Sequence, residues 1–129
     1  HQSPLYPGTG AANQTGSGAA LGSTLNAPVP AGSDLDTYVE TFEKVLTPAL
    51  LHFSPDFILI SAGFDAHRRD PLATIKLTGE GFATLTRIVL DIASETAEGK
   101  IVSALEGGYS LKGLSESIVA HVGELVKSD

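Results

Sequence analysis

The residues best suited to chemistry follow a short apolar segment near the middle of the chain. The sequence SAGFDAHRRDPLA, residues 61–73, places Asp65, His67 and Asp70 close together. Carboxylate and imidazole groups can bind a divalent metal ion, but three ligands from one short loop seldom converge unaided and zinc takes four. In the alternative interpretation, Asp65 or Asp70 accepts hydrogen bonds from backbone amides of the loop, and His67 and both arginines are solvated. The residues of this loop alone do not decide between a metal site and a loop stabilised by its own hydrogen bonds.

A second candidate lies in the sequence EGGYS, residues 106–110, which follows another apolar segment. Adjacent glycines allow close backbone approach, so the next side chain, Tyr109, can be directed at a bound ligand. A tyrosine hydroxyl there could donate to a developing oxyanion. The alternative is a turn that carries a half-buried aromatic ring. The glycine spacing matches neither nucleotide-binding fingerprint, so phosphate binding is not expected.

Periodicity predicts the elements that position these loops. From residue 34, apolar residues recur at spacings of three and four, which predicts a helix capped by Ser33 or Asp34. Pro48 should bend this helix or interrupt its hydrogen bonding about one turn earlier, and Pro55 should close it. Further helices are expected from Thr78 to residues 98–99 and over residues 111–127. The β-rich segments 56–62 and 100–105 predict strands, the first of them buried on both faces of a sheet.

This order of elements is a βαβα unit with parallel strands, so the fold class is α/β. Ligands of open α/β sheets lie beyond the carboxyl ends of the strands. We therefore expect the loops 63–75 and 106–111 to lie side by side at one rim of the sheet.

Residues 1–33 are expected to be loop, because they hold six of the 14 Gly and four of the 7 Pro. A short strand over residues 23–29, interrupted by Pro28, is the one regular element suggested there. The histidines outside the candidate loops have structural explanations. His1 is at the chain end, His52 is at a helix C-terminus, and His121 is expected on a partly covered helix face.

Composition excludes several functions. The 129 residues are 42% hydrophobic and carry a formal net charge of −7, with no basic stripe that could bind nucleic acid. Cysteine is absent, so disulfides and Cys-based zinc sites are impossible. No apolar segment approaches the roughly 18 residues of a membrane span. The expectation is a soluble, cytoplasmic protein. The chain begins with His1 and has no Met, which suggests that it is part of a longer protein.

Three motifs together are more specific than any one alone: PLYPGTG at residues 4–10, SAGFDAHRRDPLA, and LEGGYS at residues 105–110. In this order they resemble the zinc-dependent histone deacetylase family, in the branch shared by class II deacetylases, deacetylase-like amidohydrolases and acetylpolyamine amidohydrolases. The resemblance implies an open, mainly parallel sheet flanked by helices, as in the deacetylase and arginase folds. It also implies a zinc hydrolase that removes acetyl groups from an amine such as acetyl-lysine.

The resemblance assigns roles to individual residues. It implies that Asp65 is a zinc ligand and that Tyr109 polarises the substrate carbonyl and stabilises the tetrahedral intermediate. It gives His67 no ligand role. The residues that it places in the wall of a narrow acyl-lysine tunnel are Tyr6, Pro71, Leu72, Gly107 and Gly108.

The same resemblance implies that the site is incomplete. The paired catalytic histidines of the family and its other zinc ligands lie upstream of the matched part, and no His-His pair occurs in the chain. We therefore expect residues 1–129 to be the C-terminal part of one catalytic domain, inactive alone and prone to self-association through uncovered surfaces. The alternatives are a non-catalytic α/β interaction module, or a hydrolase of acetylpolyamines rather than acetyl-lysine.

Overall fold

The computed structural model describes residues 1–5 and 7–127, which form helices packed beside a two-stranded parallel sheet. Helix α1 is continuous through three segments, Leu35–Thr41, a π-helical turn at Phe42–Leu46, and Thr47–Phe53. Strand β1 is Ile58–Ala62, helix α2 is Gly79–Thr96, strand β2 is Ile101–Leu105, and helix α3 is Leu111–Lys127. A 3₁₀ turn, Gly18–Ala20, precedes them. The α/β class and the βαβα order are confirmed.

The ends of the helices follow from local chemistry. The Asp34 carboxylate accepts the Thr37 N–H at the start of α1, and the Thr78 hydroxyl accepts the Gly81 N–H at the start of α2. The π-helical turn ends at Leu46, just before Pro48, where the expected interruption falls because proline has no N–H to donate. The capping residues and the effect of Pro48 are confirmed.

The two strands pair in parallel with Ile58 opposite Ile101 and Ala62 opposite Leu105. The expectation that β1 is buried on both faces is wrong. Ile60 packs against the core, whereas Leu59 and its partner Val102 on the other face are 67% and 50% exposed. Within the part of the chain that the structure describes, helices cover only one face of this sheet.

Helix α3 also differs from its prediction. Helical spacing in the sequence predicts Val119, Val122 and Val126 on one apolar side of α3 with Leu114 and Ile118, yet these three valines are exposed. The buried line of the helix is Gly113, Ser117 and His121, at spacings of four, and Leu114 and Ile118 pack beside it. Gly113 thus lets α3 pack on the His67 ring, and His121 contacts Thr86 of α2.

The predicted strand at residues 23–29 does not form. Val29 is buried and makes only an isolated bridge with Gln2, in which its N–H donates to the His1 carbonyl at 2.8 Å. Pro28 and Pro30 on either side lack the N–H groups that a strand ladder needs. The other described residues of the 1–33 segment are loop, as expected, apart from the 3₁₀ turn.

The hydrophobic core lies under the candidate loops. Phe64 is buried directly before Asp65, and its ring meets Phe82 of α2 edge to face at a centroid distance of 5.1 Å. Ile75 and Leu77 at the far end of the same loop are buried too. Apolar residues therefore anchor both ends of the segment that carries Asp65 and Asp70.

Candidate active site

The two chemically rich loops meet at the carboxyl ends of the strands, as predicted. The Glu106 N–H donates to the Ala62 carbonyl at 3.0 Å, and the Phe64 N–H donates to the Gly107 carbonyl at 2.8 Å. These bonds continue the contact between the strands past the end of the sheet. The backbones that lead to Asp65 and to Tyr109 are thereby held together.

The carboxylate of Asp65 lies against two glycines. A Cβ atom at Gly107 would lie 3.0 Å from Asp65 Oδ2, and one at Gly63 would lie 3.2 Å from Oδ1. Asp65 is half-buried, and among the described residues its carboxylate takes part in no hydrogen bond or ion pair. Burial, with a smaller contribution from the Asp65 charge, raises the pKa of the nearby Tyr38 to about 12. The geometry leaves both Asp65 oxygens available to a ligand.

Asp70 is engaged on both oxygens. Its Oδ1 accepts the Leu72 N–H at 2.9 Å, and its Oδ2 accepts the Tyr109 N–H from the other loop at 2.8 Å. The residue is only 8% exposed. The interpretation that an aspartate binds backbone amides is therefore correct for Asp70, and it extends across both loops.

The remaining predicted site residues lie on the same rim. Tyr109 is 60% exposed, and Pro71 and Leu72 are exposed on the facing loop. Gly108 has φ of 137°, and a Cβ there would lie 2.8 Å from Leu114 Cδ1, so both the backbone and the available space require glycine. Tyr6 lies outside the described residues.

Comparison with known proteins decides the family. A family model described as "Histone deacetylase domain" matches residues 1–125. The chain belongs to the histone deacetylase domain family. It is 41% identical over 113 residues to a "Probable deacetylase" of Archaeoglobus fulgidus, covering 88% of this chain and 32% of that protein. It is 45% identical over 118 residues to "Histone deacetylase 10, chloroplastic" of Oryza sativa subsp. japonica, covering 92% of this chain and 27% of that protein.

Solved structures agree on the fold. The crystal structure of the HDA15 HD domain has a TM-score of 0.90 at 38% identity over 98% of this chain and 36% of its own. That of an acetylpolyamine aminohydrolase from Burkholderia pseudomallei has a TM-score of 0.81 at 30% identity, over 94% and 34% respectively. The histone deacetylase fold is thereby shown. The chain spans between 27% and 36% of the length of these four proteins.

His67 corrects one expectation for this deacetylase-family loop. The alternative interpretation placed its ring in solvent, but His67 is only 1% exposed. Its Nδ1 accepts the Arg69 N–H at 3.2 Å, and its Nε2 lies 3.3 Å from Glu116 Oε2 on α3. The ring packs on Gly113, where a Cβ would lie 2.6 Å from Nδ1. Asp65 and His67 have Asp-x-His spacing, but Nδ1 already accepts a hydrogen bond, and Nε2 is buried beside Glu116 with no hydrogen-bond partner among the described residues.

The described residues do not form a whole metal site. Within residues 1–5 and 7–127, no group of three or more His, Cys, Asp and Glu side chains could hold a metal ion. The open carboxylate of Asp65 fits one position of a zinc coordination sphere, for which carboxylate oxygen is a usual ligand. The described part of this deacetylase-family chain therefore supplies one candidate ligand. None of its helices is long and apolar enough to cross a membrane.

A cavity of about 350 Å³ extends from Asp65 into the interior, lined by Tyr38, Phe82 and His121 among others. His121 is more buried than the sequence predicted, at 7% exposure. Its Nδ1 lies 2.8 Å from Thr86 Oγ1 and its Nε2 lies 2.9 Å from Ser103 Oγ. This network was not predicted from the sequence, although Ser117 and His121, polar residues four apart on α3, indicate that this face of the helix is not purely apolar.

Proposed function

We propose that the protein to which this chain belongs is a zinc-dependent deacetylase that releases acetate from an acetylated amine such as acetyl-lysine. Membership of the histone deacetylase domain family supports the reaction class. The observation that carries the proposal is the unengaged carboxylate of Asp65, seated between Gly63 and Gly107 where the strand ends meet.

Asp65 is proposed as one zinc ligand. Its two oxygens accept no hydrogen bond and form no ion pair among the described residues, and replacement of either adjacent glycine by a larger residue would crowd them. Zinc, when bound, polarises an amide carbonyl and makes water nucleophilic near neutral pH. The other ligands and the general-base histidine would come from outside residues 1–5 and 7–127, since no described group completes the site.

Tyr109 is proposed as the catalytic donor to the substrate. Its hydroxyl would donate a hydrogen bond to the carbonyl oxygen as negative charge develops there, which an exposed tyrosine at the rim is free to do. The proposed tunnel wall comprises Tyr6, Pro71, Leu72, Gly107 and Gly108. Exposed Leu72 offers apolar contact to the aliphatic stem of a lysine.

Residues 1–129 are proposed to be the C-terminal part of a single catalytic domain. The solved relatives are matched over 36% and 34% of their lengths, and the chain exposes Leu59 and Val102 on one sheet face. Apolar residues on a paired sheet face are usually covered by another layer. In its absence, self-association through this face is expected, and hydrolysis by the chain alone is not.

The substrate is proposed to be a cationic acyl-amine, because the net charge of −7 suits either acetyl-lysine or an acetylpolyamine. Acetyl-lysine is our first choice, since the family model and the relative from Oryza sativa carry the name histone deacetylase. A structural relative named acetylpolyamine aminohydrolase supports the second. We propose a cytoplasmic location, with no nucleic-acid or membrane partner.

Zinc analysis and a hydrolysis assay on the same samples test this function. The 129-residue chain and the full-length protein would each be dialysed against trace zinc, measured by elemental analysis, and assayed with fluorogenic acetyl-lysine and an acetylpolyamine. We expect one zinc and hydrolysis in the full-length protein, and neither in the chain alone. A zinc-loaded full-length protein that hydrolyses neither substrate would favour the non-catalytic module. One zinc and turnover in the isolated chain would contradict its incompleteness.

A further inference from the structure

We propose that Asp70 positions the catalytic Tyr109 and the tunnel-wall residue Leu72 relative to each other. This inference rests on the proposed deacetylase function. One carboxylate joins the two loops, since Oδ2 accepts the Tyr109 N–H at 2.8 Å and Oδ1 accepts the Leu72 N–H at 2.9 Å. Asp70 is a positioning residue, because it contacts the backbone of the residues proposed to meet the substrate.

The burial and the hydrogen bonds of the Asp70 carboxylate favour a positioning role. Asp70 is 8% exposed, and among residues 1–5 and 7–127 no Lys, Arg or His forms an ion pair with it. A buried carboxylate without a cation is costly unless hydrogen bonds compensate it. Here the N–H groups of Leu72 and Tyr109 compensate for the burial of the carboxylate. Hydrogen bonds to a carboxylate are shorter and stronger than those between neutral groups. Removal of the acceptor would leave two N–H groups unpaired.

The backbone before Tyr109 explains why such a restraint is needed. Gly107 and Gly108 precede it, and Gly108 has φ of 137°, a region closed to most residues. Glycines that admit this turn also admit alternatives, so the direction of the Tyr109 side chain would vary. The bond to Asp70 fixes the peptide at the residue that carries the hydroxyl.

Asp70 is itself held firmly. Its N–H donates to the His67 carbonyl at 2.8 Å, and the His67 ring is packed on Gly113 of α3. The Tyr109 backbone is therefore linked to the core through Asp70 and the turn at residues 67–70. Movement of the Asp70 turn would displace the Leu72 wall and the Tyr109 hydroxyl together. A displacement near 1 Å can cost about 10²-fold in turnover.

A double-mutant cycle in the full-length, zinc-loaded protein tests this inference. The variants are Asp70→Ala, Tyr109→Phe and the pair, with zinc content measured on each sample and exposed Asp91→Asn as the matched control. We expect Asp70→Ala to lower kcat about 10²-fold at unchanged zinc content. In the Tyr109→Phe background the same substitution should lower kcat much less, because the hydroxyl is already gone and only the Leu72 wall remains to be displaced. Asp91→Asn should leave kcat unchanged.

Hydrogen–deuterium exchange supplies a readout that does not depend on activity. In Asp70→Ala, peptides covering residues 70–75 and 106–111 should exchange faster, whereas peptides from α2 should not. Asp70→Asn keeps the side-chain volume and one acceptor, so it should fold even if Asp70→Ala does not, and should show a smaller loss of kcat.

The outcomes separate this inference from the proposed function. An equal loss of kcat in both Tyr109 backgrounds, or unchanged exchange at residues 106–111, would overturn the positioning role of Asp70. Full activity of Tyr109→Phe would instead reject the proposed role of Tyr109. A loss of zinc in parallel with activity in both Asp70 variants would assign Asp70 to folding alone.

Discussion

His121 of α3 and Ser103 of β2 are joined by a contact of 2.9 Å between Nε2 and Oγ, inside the layer between helix and sheet. On the other side of the ring, Nδ1 lies 2.8 Å from Thr86 Oγ1, and that hydroxyl donates to the Phe82 carbonyl at 2.6 Å. Because the Thr86 proton is already used, Nδ1 must carry hydrogen, and Nε2 accepts from Ser103 when the ring is neutral. The network thereby specifies the tautomer of the neutral ring.

Thr86→Val should therefore destabilise the protein. The substitution conserves shape but leaves the Nδ1–H of a buried histidine without an acceptor, which costs about 1–3 kcal/mol. Urea unfolding followed by circular dichroism measures the change. Thr84→Val is the matched control, since its hydroxyl makes the same bond to a carbonyl four residues earlier and otherwise accepts from the exposed Arg87 instead of contacting a histidine. Equal losses in the two variants would mean that the contact with His121 contributes nothing.

Stability should fall as the solution becomes acidic, through His121. Burial lowers the pKa of this imidazole below its ordinary value, near 6.5. Between the ordinary and the lowered pKa the unfolded state binds more protons, so the free energy of unfolding rises with pH and is fully regained above about 6.5. Unfolding at pH 5.5 and pH 8 should show this difference, His121→Gln should reduce it, and exposed His52→Gln should retain it. An unchanged difference in His121→Gln would assign the dependence to other groups.

Much of the fold follows from local patterns. The starts of two helices could be predicted because the caps Asp34 and Thr78 act on N–H groups three residues away, whereas α2 ends at Thr96 and not at the predicted residues 98–99. The meeting of the two loops followed from strand direction alone, and the bond from Asp70 to Tyr109 is its result.

Burial was harder to predict, because it depends on contacts between distant parts of the chain. His67 lies in a polar loop, and its place under α3 depends on Gly113, which is far away in sequence. Leu59 and Val102 are apolar enough for a core, yet no described element covers their face. Periodicity indicates which residues can be buried, but it does not indicate whether another helix or strand lies against them.

The fit of α3 against His67 can be tested with two glycines of the same helix. In Gly113→Ala the new Cβ would lie 2.6 Å from His67 Nδ1, so the ring or the helix must shift, at a cost of about 1–3 kcal/mol. Gly123→Ala meets no atom within 4 Å and should gain about 0.5–1 kcal/mol from helix propensity. Opposite shifts of the urea midpoint are expected. Stabilisation by both substitutions would mean that His67 is free to move.

Measurement of zinc content in variants of the full-length protein should distinguish the role of Asp65 from that of Tyr109. Asp65→Ala removes a proposed ligand and should abolish or greatly weaken zinc binding, together with activity. Tyr109→Phe keeps the ring and removes only the proposed hydrogen-bond donor, so zinc should remain while turnover falls about 10²- to 10³-fold. Asp56→Ala is the control for Asp65→Ala, since that exposed carboxylate precedes β1 at the opposite end of the strand. Elemental analysis and acetyl-lysine hydrolysis would be measured on each sample, and full metal content in Asp65→Ala would show that the ligand assignment is wrong.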